Sequence, residues 1–300
     1  MADFSDGAAF VYGELVPIAE AKISLLDWGF LHSDATYDVV HVWEGRFFRL
    51  DDHLDRFHDG MAALRMVAPY PRERIRSVLA DCVAVSGLRN AYVEMITTRG
   101  QPRPGSRDPR SCVNQFFAFA IPFVRIAEPN HGLHLLISDR QRIPPQSVDP
   151  TVKNYHWLDL VMGQFDAFDR GAETVAVVDE NGNVTEGPGF NVFAVSAGTL
   201  TTPASGVLRG VTRRTAIEIA AALGHPLVEA PLSPAQVHAA DEVFATSTAG
   251  GIMPITRVDR HAVGNGAIGP ITRALQARYW SLHGEPAYTT AVDYAARSAS

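Results

Sequence analysis

The sequence predicts an α+β protein made of two units, and three observations support this class. Residues 92–98 and 113–123 are rich in β-branched and aromatic side chains, which is typical of strands. The apolar residues at positions 54, 57, 61 and 64 share the spacing of one helix face. After a polar stretch around residues 128–130, strands and helices alternate through the second half. A length of 300 residues is sufficient for one large domain or two modest ones.

Turn-forming and capping residues divide the first half into short elements. Gly13 marks the turn of a hairpin, and Asp51 with Asp52 is expected to cap a helix. Gly87 is expected to end the next helix. The predicted elements are a hairpin at residues 10–17, strands at 35–43, 46–50, 92–98 and 113–123, and helices at 51–64 and 71–86.

Residues 99–110 are predicted to form a long exposed loop. Two glycines, three prolines and four arginines fall within this stretch, and no regular element accommodates that composition. Long loops in compact domains are often functional, and a solvated loop without a role is the alternative.

The second half is predicted to contain strands at residues 133–138, 174–178, 191–195 and 242–245 and helices at 155–170, 212–223 and 269–283. A turn at residues 180–183 separates two of the strands. The tail beyond Tyr294 is expected to be frayed.

The composition excludes several classes of protein. A net charge of −7 disfavours nucleic acid or an acidic membrane as the main partner. Cys82 and Cys112 provide no disulfide framework. The N-terminus lacks the apolar segment of a signal peptide, and no apolar run approaches the roughly 18 residues of a membrane span. These features predict a cytoplasmic protein.

Several common kinds of site also lack support. The 11 histidines are not spaced with carboxylates as metal ligands, so we expect no metal site. The chain contains no Walker loop, no Gly-x-Gly-x-x-Gly and no Gly-x-Ser-x-Gly, which disfavours nucleotide-binding and serine-hydrolase chemistry.

Lys153 is one of only two lysines, the other being Lys22, whereas the remaining 24 basic residues are arginines. An arginine cannot lose its proton in a protein, so it cannot serve as an amine nucleophile. The chemistry that requires an amine is Schiff-base formation, with a carbonyl substrate or with pyridoxal phosphate. The proline-rich residues 143–150 can hold Lys153 in place, whereas we interpret Lys22 as a surface residue at the end of a hairpin.

Segments downstream of Lys153 carry groups that suit such a cofactor. Glu186 lies in the glycine-rich residues 185–191, where a carboxylate can pair with a protonated ring nitrogen or simply occupy a surface turn. Residues 210–214 open a helix, and residues 246–251 follow an apolar strand. Both segments can bind phosphate through N–H groups and hydroxyls, although such clusters also occur in plain turns.

These residues occur in the order and spacing found in the fold-type IV pyridoxal-phosphate enzymes, which include branched-chain aminotransferases, D-amino acid aminotransferases and aminodeoxychorismate lyase. The chain resembles this group from about Phe10 to Tyr294. Within the group it is most similar to the (R)-selective amine transaminases. The segments that carry this similarity are residues 31–39, 48–56, 91–94 with 98–100, and 152–157.

The resemblance implies a role for each matching residue. Lys153 would form the Schiff base with the cofactor and later move the proton between substrate and cofactor. Glu186 would hold the pyridinium N–H. The cofactor phosphate would be bound by Arg56, Val211, Thr212 and Thr248, and the substrate by His32, Tyr37, Tyr92, Arg103, Trp157, Thr248 and Ala249.

The resemblance also implies a two-domain fold like that of D-amino acid aminotransferase, with pyridoxal 5′-phosphate in the cleft between the domains. The small N-terminal domain would span residues 1–124, the linker 125–131 and the larger cofactor-binding domain 132–300. A homodimer is implied, in which loops of the neighbouring subunit complete the pocket. Arg103 would swing in to pair with the carboxylate of a keto acid and leave when an apolar amine binds.

The expected activity is transfer of an amino group from an (R)-amine, or a D-amino acid, to a keto acid such as pyruvate by a ping-pong Schiff-base mechanism. One alternative is a branched-chain-type α-amino acid aminotransferase, which Glu94 disfavours by placing negative charge near the pocket. A lyase that keeps Lys153 and a non-catalytic cofactor-binding protein are the others. Trp28 and Leu158 depart from the usual Gln and Gly of the amine transaminases, which affects the pocket's size more than its chemistry.

Overall fold

The computed structural model describes residues 4–295, which divide into two compact units. The first unit contains residues 4–124, 152–155 and 283–295 of the described chain. The second contains residues 125–151 and 156–282. The predicted frayed tail falls mainly on residues 296–300, outside the described range.

The α-helices of the described chain confirm the helical segments of the sequence pattern and refine their ends. They are α1 (Trp28–Leu31), α2 (Leu50–Ala63), α3 (Arg72–Ser86), α4 (Leu158–Asp169), α5 (Val211–Ala222), α6 (Pro234–His238) and α7 (Pro270–Ser281). Helix α3 ends at Gly87 as predicted, since its φ of 69° is the left-handed conformation that favours glycine.

Asp51 and Asp52 do not cap α2, which corrects the prediction. The residue before the helix is Arg49, and both aspartates lie in the first turn. Their carboxylates there interact favourably with the positive end of the helix dipole.

The strands are more numerous than the sequence pattern indicates. They are β1 (Ala8–Val11), β2 (Glu14–Pro17), β3 (Ala35–Trp43), β4 (Arg46–Phe48), β5 (Ala91–Gln101), β6 (Val113–Pro122), β7 (Leu133–Gln141), β8 (Thr174–Val178), β9 (Glu186–Gly187), β10 (Phe190–Ser196), β11 (Thr199–Thr202), β12 (Leu227–Glu229), β13 (Glu242–Ser247), β14 (Gly251–Val258), β15 (His261–Ala262) and β16 (Thr289–Ala291). Helix α4 begins at Leu158, a few residues later than predicted.

The first unit is built on an antiparallel sheet in the order β16-β4-β3-β5-β6-β1-β2. The predicted hairpin is present as β1 and β2, and its turn contains Gly13 with a φ of 92°. Strand β5 pairs with β3 from Ala91 opposite Val42 to Thr98 opposite Ala35. This pairing places two of the expected substrate-binding residues, Tyr37 and Tyr92, on neighbouring strands.

Helices α2 and α3 cover one face of this sheet. Val40 of β3, Val93 of β5, Leu54 of α2 and Leu79 of α3 are all fully buried there. Because side chains alternate along a strand, Tyr37, together with Tyr92 and Glu94, points to the opposite face. The alternation thus separates a packed core from a face that carries polar and aromatic groups.

The predicted loop at residues 99–110 is shorter than expected, because β5 extends to Gln101. Arg99 donates its backbone N–H to the Asp34 carbonyl, and its guanidinium pairs with the Asp34 carboxylate at 2.9 Å. Gly100 has a φ of 77°, and a Cβ there would lie 1.8 Å from the Val113 carbonyl oxygen. Only glycine fits this close approach.

Two later segments belong to the first unit, although the predicted domain boundaries assign them to the second. Residues 152–155 are held by hydrogen bonds to β3, and β16 pairs with β4. Such long-range pairings leave no local pattern in the sequence.

The second unit is built on a mixed sheet in the order β12-β11-β10-β13-β14-β7-β8. Strand β7 pairs in parallel with β8 and β14, whereas β10, β13 and β14 are antiparallel neighbours. Its core includes the fully buried Val192, Ala245 and Leu135.

None of the helices formed by residues 4–295 is long and apolar enough to cross a membrane. The same residues contain no cluster of three or more His, Cys, Asp or Glu side chains arranged to hold a metal ion.

Candidate active site

Lys153 lies in a segment that is hydrogen-bonded to β3. Its carbonyl oxygen accepts hydrogen bonds from Thr36 Oγ1 at 2.8 Å and from the Tyr37 backbone N–H at 3.2 Å. Asn154 forms an isolated β-bridge with Thr36, and its side-chain amide donates to the Val152 carbonyl at 2.7 Å. The backbone of the lysine is therefore fixed by the strand and not by the start of α4.

The amine of Lys153 lies above an aromatic stack. Its Nζ is 4.3 Å from the centre of the Tyr37 ring, in the range of a cation–π contact. The Tyr155 ring lies parallel to the Tyr37 ring at a centroid distance of 4.3 Å. The amine and the Tyr155 ring therefore both pack against the Tyr37 ring.

A buried carboxyl group lies on the same sheet face. Tyr155 donates a short hydrogen bond to Glu94 Oε1, and the Tyr92 hydroxyl donates to Oε2 at 3.3 Å. Burial raises the pKa of Glu94, and the Tyr155 hydrogen bond and the charge of Lys153 partly oppose this. Burial also raises the pKa of both phenols, so both hydroxyls stay protonated as donors. Lys153, Tyr37, Tyr155, Glu94 and Tyr92 thus form one contiguous group.

Arg56, on α2, pairs with Asp38, the residue that follows Tyr37 on β3. Its Nε and Nη2 donate to the two oxygens of the fully buried Asp38 carboxylate at 2.6 and 2.8 Å. His53 Nδ1 lies 2.7 Å from Asp38 Oδ1. Burial alone would raise the pKa of Asp38, but Arg56 and His53 outweigh it and hold the pKa well below its ordinary value.

An apolar pocket of about 300 Å³ lies beyond Tyr155. Its lining includes Tyr155, Ile96, Phe117, Phe119 and Phe30. Lys22, the other lysine, also lines this pocket and is exposed, in agreement with its interpretation as a surface residue. Tyr155 lines this pocket and also stacks on Tyr37, the ring that contacts Lys153.

His32 and Arg103 contact residues outside the group around Lys153. His32 follows α1, and its ring packs edge-on against Trp28 at 4.9 Å. Arg103 is an exposed residue of the loop after β5, and its backbone N–H donates to Ser111 Oγ at 3.4 Å.

In the second unit, Glu186 is a buried carboxylate whose oxygens accept hydrogen bonds from a side chain and from the backbone. Its Oε1 accepts from Arg142 Nε at 3.2 Å, and its Oε2 accepts from the Leu208 backbone N–H at 2.9 Å. Arg142 also donates to Asp159 at 2.7 Å. Burial alone would lower the pKa of Arg142, but the carboxylates of Glu186 and Asp159 outweigh burial and raise this pKa. Glu186 is therefore held in place and stabilised as an anion, which disfavours the surface-turn alternative.

The N-terminus of α5 is tightly packed. Val211 and Thr212 are its first two residues and both are buried. A Cβ at Gly210 would lie 2.4 Å from Asn191 Oδ1. Thr246 pairs with Asn191 across the sheet, so both side chains share this face. The Thr246 hydroxyl is buried and has no hydrogen-bond partner among the described residues.

The remaining predicted residues also lie in the second unit. Thr248 and Ala249 follow β13, and the Ala249 N–H donates to Ser247 Oγ at 3.3 Å. Trp157 precedes α4 and lies near Gly189, where a Cβ would be 3.5 Å from its ring.

The sequence analysis missed several residues that the structure brings into these groups, namely Asp38, His53, Arg142, Tyr155 and Thr246. A signal for Asp38 was present, because a charged residue on the helix-facing side of an apolar strand must be paired. Tyr155, by contrast, was assigned to a helix, which hid its stacking on Tyr37.

Two features suit an enzyme that forms a Schiff base with a phosphate-bearing ring. In the first unit, the Lys153 amine lies over the Tyr37 ring. In the second unit, the buried Glu186 carboxylate accepts from Leu208, just before α5. The family model described as "Amino-transferase class IV" matches residues 35–258 of the chain. The chain therefore belongs to the class IV aminotransferase family, also called fold type IV.

Relatives within this family cover nearly the whole chain. A Methanocaldococcus jannaschii protein, provisionally named a branched-chain-amino-acid aminotransferase, is 32% identical over 273 residues, 90% of this chain and 94% of its own length. The D-alanine aminotransferase of Listeria monocytogenes is 29% identical over 272 residues, 88% of this chain and 92% of its own. The branched-chain amino acid aminotransferase of Thermobaculum terrenum, solved in its PLP-form, matches with a TM-score of 0.88 at 26% identity, over 97% of this chain and 100% of that chain.

Proposed function

We propose that this aminotransferase moves an amino group from an (R)-amine, or from a D-amino acid, to a keto acid such as pyruvate. Aminotransferase activity follows from membership of the family. The donor class is the proposal, and it rests on the residues around Lys153.

The cofactor is pyridoxal 5′-phosphate, the group present in the Thermobaculum terrenum structure. When bound, it supplies a carbonyl carbon that amines attack and a ring that withdraws electrons from the reacting carbon. The second unit fits the phosphate, because the Thr246 hydroxyl is buried without a partner among the described residues and Val211 and Thr212 form the N-terminus of α5, whose backbone N–H groups suit an anion.

Each residue has a distinct task in this proposal. Lys153 Nζ would hold the cofactor through its carbonyl carbon, and the lysine amine would move a proton to and from the reacting carbon. Glu186, kept anionic by Arg142, holds the proton on the ring nitrogen of the same cofactor. The phosphate is bound by Arg56, Val211, Thr212 and Thr248.

Glu94 is the observation that favours an amine donor. An α-amino acid brings its own carboxylate, whereas an amine such as 1-phenylethylamine brings apolar groups only. Glu94 presents an acid with both oxygens engaged by tyrosine hydroxyls in the same group as Lys153. The carboxylate of an α-amino acid substrate would be repelled by Glu94 when Glu94 is charged. When Glu94 is neutral, it offers that carboxylate no positive charge.

The remaining pocket residues complete the proposal. Tyr37, Tyr92 and Trp157 would provide aromatic walls, and His32 would contact the substrate. Thr248 and Ala249 bind a carboxylate when one is present. Arg103, exposed on its loop, pairs with the keto-acid carboxylate and withdraws for the amine. We also propose a homodimer, following the resemblance to the amine transaminases, and a cytoplasmic location, following the low cysteine content of the chain.

A branched-chain α-amino acid aminotransferase is the second candidate. The names of the Methanocaldococcus jannaschii relative and of the Thermobaculum terrenum structure favour it. This candidate requires that leucine be accepted despite the acid at Glu94.

One assay separates the two candidates. The purified protein is supplied with pyruvate and each enantiomer of 1-phenylethylamine, and in parallel with leucine or D-alanine and a keto acid. Formation of acetophenone from the (R)-enantiomer, at a higher kcat/KM than for leucine, supports the proposal. Faster turnover of leucine than of either amine overturns it in favour of the second candidate.

A further inference from the structure

The Asp38 cluster, defined as Asp38, His53 and Arg56, is a buried charged group that the proposed chemistry does not itself explain. Asp38 has no exposed surface, and its carboxylate is engaged by both of the other residues. Removing a carboxylate from water is costly, and the cost is recovered only by close, well-oriented partners. A protein that needed only a packed core would place an apolar residue there.

We propose that Asp38 is a positioning residue that orients Arg56 for the phosphate of pyridoxal 5′-phosphate, and that His53 in turn orients Asp38. This inference rests on the proposed role of Arg56 and adds two residues to it. Asp38 and His53 touch neither the phosphate nor the reacting atoms in this scheme.

The geometry explains how the orientation is achieved. An arginine side chain is long and loses conformational entropy whenever it is fixed. Two parallel N–H···O bonds from Nε and Nη2 set the plane of the guanidinium as well as its position. An arginine fixed in this way before the phosphate arrives does not lose that entropy on binding.

His53 fixes the carboxylate by a defined tautomer. The Asp38 pKa is held low, so its oxygens are acceptors and the Nδ1 of His53 must carry the hydrogen. Burial lowers the pKa of His53, which keeps the ring neutral. The cluster therefore contains one anion and one cation, and Arg56 is held without an excess of buried charge.

The position of Asp38 on β3 links two parts of the site. Thr36 binds the Lys153 carbonyl, Tyr37 contacts the Lys153 amine, and Asp38 binds Arg56. Three consecutive residues of one strand thus hold the amine and the phosphate-binding arginine in a fixed relation.

The test compares the affinity of the full-length chain for pyridoxal 5′-phosphate with its affinity for pyridoxal, which lacks the phosphate. Arg56→Ala should weaken binding of the phosphate form only. Asp38→Asn, which cannot accept both Arg56 hydrogen bonds, should weaken it by about tenfold and spare pyridoxal. Asp27→Asn is the matched control, because Asp27 is a buried carboxylate of the same unit that binds Gly29 N and Thr98 Oγ1.

The outcomes distinguish the inference from the proposed function. If Arg56→Ala binds both forms as the wild type does, the role of Arg56 in the proposed function is wrong. If Arg56→Ala loses the phosphate form but Asp38→Asn does not, the positioning role is wrong. An equal loss of both forms in Asp38→Asn indicates a purely structural role and also overturns the inference.

A second variant covers the case in which Asp38→Asn does not fold. His53→Ala removes one partner of Asp38 and leaves the Arg56 pair, so it should weaken the phosphate form by about threefold and spare pyridoxal. Wild-type affinity for the phosphate form in His53→Ala would then overturn the inference.

Discussion

Thr36 Oγ1 donates a hydrogen bond of 2.8 Å to the carbonyl oxygen of Lys153, 117 positions further along the chain. The hydroxyl fixes the backbone of the lysine from a strand whose next residue contacts the amine. The position of the amine therefore depends on a residue that carries no chemistry itself.

Thr36→Val keeps the shape of the side chain and removes this donor. We expect a loss of about 1 kcal/mol of unfolding free energy and a fall in kcat of about three- to tenfold, because the amine is less well placed. Thr97→Val is the matched control, since Thr97 is fully buried on the neighbouring strand and its hydroxyl contacts Met61 Sδ at 3.2 Å. A similar loss of kcat in both variants would contradict a specific role for Thr36.

The two lysines should differ completely in reactivity. Treatment of the protein with pyridoxal phosphate and borohydride should attach the cofactor to Lys153, as seen by peptide mass spectrometry. Lys153→Ala should abolish both the labelling and turnover, because no other amine is placed to replace it. Lys22→Ala, which changes the exposed lysine, should leave both intact. Labelling that follows Lys22 would refute the assignment of Lys153.

Glu94 should control the choice of donor. Glu94→Gln keeps an acceptor for one tyrosine hydroxyl and removes the acid. We expect the ratio of kcat/KM for D-alanine to that for (R)-1-phenylethylamine to rise about tenfold, since a carboxylate-bearing donor is no longer repelled. Glu20→Gln, at an exposed position of the same unit, serves as the control. An unchanged ratio would remove Glu94 from the determination of specificity.

Arg103 should affect the acceptor and spare the amine. Arg103→Ala should raise the KM for pyruvate about tenfold and leave the KM for 1-phenylethylamine near its original value, because only the keto acid carries a carboxylate. Arg107→Ala changes another exposed arginine of the same loop and should alter neither constant. Equal increases for both substrates in Arg103→Ala would exclude a switching arginine.

His53 makes the stability of the first unit depend on pH. Its pKa lies below the ordinary 6.5, chiefly because it is buried, and Asp38, Arg56 and Asp52 are the charged groups that act on it. Below pH 6.5 the unfolded chain binds a proton at His53 that the folded chain does not. The contribution of neutral His53 to the free energy of unfolding is therefore complete above pH 6.5 and is lost as the pH falls.

His53→Asn should remove this share of the pH dependence. The free energy of unfolding is measured by denaturant titration between pH 7 and pH 5. Below the ordinary pKa of histidine, this free energy should fall with decreasing pH more steeply in the wild type than in the variant, by up to about 1.4 kcal/mol per pH unit. Parallel curves for the two proteins would show that His53 is protonated equally in the folded and unfolded chains.

The sequence by itself determined the types of most elements and the order of the site motifs. Periodicity located α2 and α3, and the rarity of lysine identified Lys153, because both signals are local. The same is true of Glu186, whose glycine-rich surroundings mark an unusual turn.

Only the tertiary structure decided which side chains meet. The attachment of residues 152–155 to β3, the pairing of Asp38 with Arg56 and the stacking of Tyr155 on Tyr37 join residues that are distant in the chain or assigned to other elements. Such contacts are set by the register of β3 against β5 and by the packing of α2 on the sheet. A one-residue shift of that register would turn Tyr37 towards the helices and Asp38 to the other face, so the register is fixed by the burial of one face of the sheet against α2 and α3.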